Sequence, residues 1–278
     1  MSYIETTSIE KGKNVKLYYQ DYGEGKPVIL IHGWPLSQAM WEYQVDEVVN
    51  AGFRCIAYDR RGFGNSDKPW GGYDYDTLAK DLNDLIENLG LKDAIIVGFS
   101  MGGGEVARYI GNYGTSKISK AALVSAVPPF MLKTSDNPDG IEREVFEDFK
   151  AEIKKDRPGF LAGFGKNFLN FNKNKDKVSE EMADYYWSIA CKASPKATLD
   201  CIDSFGFTDF REDLKKFDVP TLIVHGDADE IVPINVAGKK SAELITNNTF
   251  KVVTDAPHGL VLTHTNEFNK ILLDFLKS

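Results

Sequence analysis

The sequence predicts an α/β fold, a mostly parallel sheet covered by helices on both faces and interrupted by an inserted helical cap. Three observations carry this. Short apolar, β-rich runs alternate with amphipathic helical segments along most of the chain. That alternation stops after Val127 and does not resume until about Phe207. One run, Ala94-Ile95-Ile96-Val97, passes through Gly98-Phe99-Ser100-Met101-Gly102 directly into a helical pattern beginning at Gly103.

In chain order, the first 25 residues alternate polar residues with β-formers, clearest over Val15-Lys16-Leu17-Tyr18-Tyr19, and read as an opening hairpin. Strands follow at Val28 to Ile31, Arg54 to Tyr58, Ala94 to Val97, Ala121 to Ser125, Thr221 to Val224 and Phe250 to Val253. Helical spacing relates Trp41, Val45, Val48 and Val49, and again Leu78, Leu82, Leu85, Ile86 and Leu89 before Gly90. A last amphipathic helix carries Phe268, Ile271, Leu272 and Phe275. Pro128-Pro129 stops the strand before it, and the aromatic-rich stretch beyond has helical segments only. Within it Asn137-Pro138-Asp139-Gly140 is a turn, and residues 172–177 a solvated polar loop. The expected organisation is therefore a discontinuous core of residues 1–127 and 209–278, with residues 128–208 capping the strand ends, where such sheets bind ligands.

Bulk properties narrow the function. With 33 Lys and Arg against 41 Asp and Glu, the net charge is −8 and scattered, which argues against nucleic acid or an anionic membrane as partner. The apolar runs are strand-length, far short of the roughly 20 residues of a membrane span. The amino terminus lacks a basic region followed by an apolar one, so a cytoplasmic location is expected. Cys55, Cys191 and Cys201 show neither a C-x-x-C pair nor metal-ligand spacing and read as reduced and structural. Gly102-Gly103-Gly104 lacks the Lys and Ser/Thr of a phosphate loop, and no dinucleotide fingerprint occurs, so no cofactor or metal is expected.

The chemistry centres on Ser100. A strained strand-to-helix turn brings its two arms so close that the positions two before and two after the serine must be small, and both are glycine. A serine hydroxyl needs a base, and the base needs an acid to hold its tautomer. Of four histidines, His258 is the candidate base, because Ala256-Pro257-His258-Gly259 is a loop between a strand and the last helix. The acid is assigned to Asp229, in the turn after Leu222-Ile223-Val224-His225-Gly226; Asp227 and Asp203 are the alternatives. His32, His225 and His264 read as structural, bonding loop backbone or lying on a helix surface. The oxyanion donors are expected to be the amides of Met101 and of Trp34, in the loop after the strand ending at Ile31. Pro35 has no N–H to offer, but it fixes the loop beside the acyl group.

These residues resemble the cofactor-free haloperoxidases (non-haem chloroperoxidases) and related bacterial arylesterases of the α/β-hydrolase superfamily. The resemblance rests on His32-Gly33-Trp34-Pro35-Leu36-Ser37, the run from Tyr58 to Asp67, the run from Gly98 to Tyr109, and Ser125-Ala126-Val127-Pro128-Pro129. Asp209 to Leu214, His225 to Pro233 and Ala256 to Gly259 complete it. The family order Ser, Asp, His matches Ser100, Asp229, His258. The resemblance further implies an acyl pocket of Met131, Phe160, Phe164, Ile231 and Ile234, and a homo-oligomer. It implies hydrolysis of small aryl esters, with carboxylic acid and hydrogen peroxide as partners in a peracid-forming side reaction that halogenates without a cofactor. A lactonase or C–C bond hydrolase would use the same three residues, and a ligand-binding signalling protein could retain them with slow turnover.

Overall fold

A computed structural model describes residues 2–278. β1 (Ser2–Glu10) and β2 (Lys13–Tyr22) form the opening antiparallel hairpin. Its two-residue turn, Lys11-Gly12, holds both residues at positive φ, 50° and 75°, which matches the right-handed twist of the flanking strands. β2 pairs antiparallel with β4 (Arg54–Tyr58), and all remaining pairings are parallel: β4 with β3 (Pro27–Ile31), β3 with β5 (Ala94–Phe99), then β6 (Ile118–Val124), β7 (Thr221–Gly226) and β8 (Asn248–Val253). The sheet order β1-β2-β4-β3-β5-β6-β7-β8 reverses direction between β3 and β5. Loops leaving the carboxyl ends of those two strands therefore diverge and open a crevice. The loops are His32 to Pro35 and the turn at Ser100.

Every residue of β5 is buried, which requires cover on both sides. α1 (Glu42–Asn50) packs with α10 (Thr265–Lys277). α2 (Tyr75–Asn88) packs on α3 (Met101–Tyr113), and the layer continues through the short α7 (Arg211–Leu214) to α8 (Gly238–Leu244). The predicted stripe of α2, Leu78, Leu82, Leu85 and Ile86, is buried, and the Asp74 carboxylate caps the helix by accepting from Thr77 N at 2.9 Å. Phe268, Leu272 and Phe275 do the same inward work on α10.

Between β6 and β7 lie α4 (Arg143–Phe168), α5 (Glu180–Cys191) and α6 (Pro195–Phe207). α4 is two helices joined at a kink. Asp156 leaves helical geometry (φ −153°, ψ 86°), and its carboxylate accepts from Gly159 N at 3.0 Å, restarting the helix with Pro158 in its first turn.

Some boundaries differ from expectation. β6 begins at Ile118, earlier than the apolar run, and Ser125 falls outside it with φ 42°. The four-residue α7 and α9 (Leu260–Thr263) and the short α8 were invisible to periodicity, being too short to repeat a stripe. The polar 172–177 loop is not wholly solvated: Asn174 is buried and donates through Nδ2 to Leu169 O at 2.9 Å, closing the end of α4. Among the described residues no helix is long and apolar enough to cross a membrane.

Candidate active site

Ser100 sits between β5 and α3 at φ 53°, ψ −120°, a backbone that a non-glycine residue holds only when its surroundings over-determine it. The surroundings are tight. A Cβ on Gly98 would lie 2.6 Å from Gly102 C, and one on Gly102 would lie 2.5 Å from Ile31 O. The two glycines let α3 leave the strand at once, so the serine stands at the crevice with its side chain presented.

The Oγ of Ser100 is 2.9 Å from His258 Nε2, and His258 Nδ1 is 2.7 Å from Asp229 Oδ2. A carboxylate accepts, so Nδ1 carries the proton and Nε2 is left to accept from the serine hydroxyl. All three side chains are buried. Asp229 Oδ1 accepts from the amides of Ile231 (3.0 Å) and Val232 (2.8 Å), which fixes the carboxylate on its own turn. Burial works to raise the Asp229 carboxyl, but His258 and His225 beside it outweigh burial and hold it well below the usual carboxylate range. The alternatives are occupied elsewhere: Asp227 Oδ1 accepts from Asp255 N at 2.7 Å, and Asp203 pairs with Lys150 on the surface.

The His258 ring is walled by Phe99 and Phe168, centroids 5.1 and 5.4 Å away, and Gly259 N donates to Phe168 O at 2.8 Å. The end of α4 thus grips the histidine loop by backbone and by ring. Sequence reasoning saw Phe168 only as one of many aromatics; nothing in its spacing marks it out.

Trp34 and Met101 both border Ser100. Met101 opens α3, where the first amides have no intrahelical acceptor. The Trp34 loop abuts the serine closely enough that a Cβ on Gly33 would lie 3.1 Å from Ser100 Cβ. The Trp34 indole donates to Thr198 O at 3.0 Å and stands edge-on to Phe164, tying this loop to α6 and α4. Beneath it, Arg60 Nη2 donates to His32 O (2.7 Å) and Arg60 Nε to Glu105 (2.7 Å), which also accepts from Tyr58. His32 Nδ1 donates to Gly33 O at 2.9 Å while its Nε2 accepts from Arg60 N at 3.0 Å. His32 is therefore structural, as expected, and His264 lies beside Lys177 away from the site.

Ser100 opens on a cavity of about 280 Å³ whose walls are almost wholly apolar. Of the five implied pocket residues, Met131, Phe164 and Ile231 line it. Phe160 does not: it stacks on Phe164 from behind, centroids 6.1 Å apart. Ile234 is buried outside the lining, because the chain turns at Pro233, which does line the cavity. Phe146, Phe149 and Phe205 from the inserted helices line it as well, and Glu230 is the charged side chain among the lining residues.

The family model for the alpha/beta hydrolase fold matches residues 26–265. A non-heme chloroperoxidase from Kitasatospora aureofaciens is 46% identical over 264 residues, covering 94% of this chain and 96% of its own. The chain belongs to the non-heme chloroperoxidase family of α/β hydrolases. A bifunctional esterase/perhydrolase from Acinetobacter calcoaceticus is 42% identical, with both chains covered in full. Among solved structures, a bromoperoxidase from Bacillus anthracis superposes with a TM-score of 0.94 at 50% identity, again covering both chains completely. The sequence-based expectation of family and fold is met.

Proposed function

We propose that this enzyme hydrolyses small carboxylic esters through an acyl-enzyme on Ser100, and that hydrogen peroxide competes with water for the acyl group. The observation that carries the reading is the unbroken line of hydrogen bonds from Asp229 through His258 to Ser100 Oγ, ending at an apolar cavity. In this reading His258 Nε2 takes the hydroxyl proton as Ser100 attacks the ester carbonyl, and Asp229 stabilises the imidazolium. The amides of Trp34 and Met101 hold the oxyanion. The imidazolium then gives its proton to the departing alcohol, and a water deprotonated by His258 releases the acid.

Peroxide in place of that water gives a peracid, which transfers an oxygen atom to halide in solution and reverts to the carboxylic acid. The names of the relatives, chloroperoxidases and an esterase/perhydrolase, support this second branch. The cavity, about 280 Å³, suits short acyl and aryl groups. The three cysteines are free, in keeping with a reducing, cytoplasmic setting.

The test is hydrolysis of p-nitrophenyl acetate by wild type and Ser100→Ala, with dye halogenation measured in acetate and in a carboxylate-free buffer of equal pH. Ser100→Ala should lower ester turnover by about 10³-fold or more and abolish halogenation. Halogenation should require acetate. Equal rates in the two buffers would remove the peracid branch, and full activity of Ser100→Ala would remove the whole reading.

A further inference from the structure

One buried titratable side chain beside the site has no task in acyl transfer as described. His225, near the end of β7, is 1% exposed. Its Nε2 lies 2.8 Å from Val232 O and 3.2 Å from Asp229 Oδ2. A carbonyl can only accept, so Nε2 carries the proton and donates it to Val232 O, with the positive N–H edge of the ring beside the carboxylate. Nδ1 has no protein partner. The ring is clamped: Gly238, opening α8, packs so close that a Cβ there would lie 2.7 Å from Nδ1. Asp229 Oδ2 therefore has two imidazole nitrogens close by: His258 Nδ1, which donates to it at 2.7 Å, and the N–H edge of His225 at 3.2 Å.

We infer, on the acyl-transfer reading above, that His225 is a positioning residue: by sharing Asp229 Oδ2 it aims the carboxylate at His258 and limits how tightly that carboxylate holds the His258 imidazolium. A carboxylate oxygen with one donor concentrates its charge on that donor; with two donors it divides it. The base is thereby released for the next proton transfer without losing its orientation. The titratable groups facing His225 are few. Asp229 lies 3.2 Å from its Nε2, and His258 is bonded to that same carboxylate oxygen; Glu230 lines the cavity, and Lys239 on α8 donates to Asn235 Oδ1 at the surface. The polar partners of the ring are Val232 O and Asp229, not Glu230 or Lys239.

Two variants separate this role from packing. His225→Leu fills the space without a donor, whereas His225→Gln can place an amide N–H where Nε2 stands. For His225→Leu the acid limb of kcat/KM should move up by roughly half to one pH unit, with kcat down about tenfold and KM for p-nitrophenyl acetate unchanged. His225→Gln should restore the wild-type limb. An unmoved or lowered limb in the Leu variant, or a Gln variant displaced as far as Leu, would overturn the assignment. Should the Leu variant not fold, 15N-histidine spectra of the wild type decide: His225 must appear as the Nε2–H tautomer, and an Nδ1–H tautomer would overturn it. Labelling of wild-type Ser100 by a fluorophosphonate serves as the control. Its failure would strike the acyl-transfer reading and not the role of His225.

Discussion

The carboxylate of Asp229 accepts three N–H groups, two from its own turn and one from His258, and lies 3.2 Å from His225 Nε2. Replacing it by Asn exchanges one acceptor for a donor aimed at other donors, so Asp229→Asn should lose about 10⁴ in kcat. Asp227→Asn, whose side chain serves only the backbone of Asp255, should remain within about tenfold. The same depressed carboxyl has a stability consequence. It is ionised in the folded state at pH values where the unfolded carboxyl, near 3.9, takes up a proton. Its contribution is therefore complete above that range and declines as pH falls. The stability gap between wild type and Asp229→Asn, measured by urea unfolding, should narrow by about 1 kcal/mol between pH 7 and pH 3. At the cavity, Glu230 adds a negative charge to an apolar wall. Glu230→Gln should raise kcat/KM for esters with an anionic acyl group by about fivefold, the ~1 kcal/mol of a unit charge pair at 4 Å in water. Neutral esters should be unaffected.

At the scale of elements, close approach rather than propensity decides. Gly98→Ala drives a methyl against the backbone of Gly102, which cannot yield. Soluble expression should collapse, or the urea midpoint fall sharply, even though alanine is no worse than glycine in a strand. This part of the site was legible in the sequence, since glycines flanking a serine between an apolar run and a helix have few other reasons to be there. The order Ser100, Asp229, His258 was equally legible, because each stands just past a recognisable strand. What the sequence could not convey is contact between elements far apart in it. Phe168, at the end of α4, reaches His258, although the two stand 90 residues apart. His225 was readable as a buried strand histidine, but its hold on Asp229 depends on how the next turn folds back. Phe160 and Ile234 failed as lining residues for the same reason: the side of a helix or turn that faces a cavity is set by tertiary packing.

At the scale of the whole molecule, the crevice exists because the sheet order reverses between β3 and β5. That crossing is braced from below by the buried pair Arg60 and Glu105, the arginine also holding the carbonyl of His32. Glu105→Leu leaves an uncompensated guanidinium in the core and should cost about 3–5 kcal/mol of stability. Lys120 makes a second long-range tie, its ammonium donating to Phe275 O at the end of α10. Both ties join core segments distant in sequence, so the sheet and the helices that cover it should unfold as one unit.

The indole of Trp34 is a different kind of tie, for its partner, Thr198 O, belongs to the inserted helices. Through Trp34 on one side and Phe168 on the other, those helices grip both the Trp34 loop and the His258 loop. They also hold fewer long-range backbone ladders than the sheet does, which places them among the first segments to open on warming. Loss of catalysis should then precede loss of fold. Residual ester turnover, followed through a temperature ramp, should fall several degrees before the far-ultraviolet signal of the sheet changes, and hydrogen exchange over residues 143–207 should quicken in the same interval. On that outcome the thermal limit of this enzyme would be set by a peripheral segment, and grafting stability onto the sheet alone would leave its working range where it is.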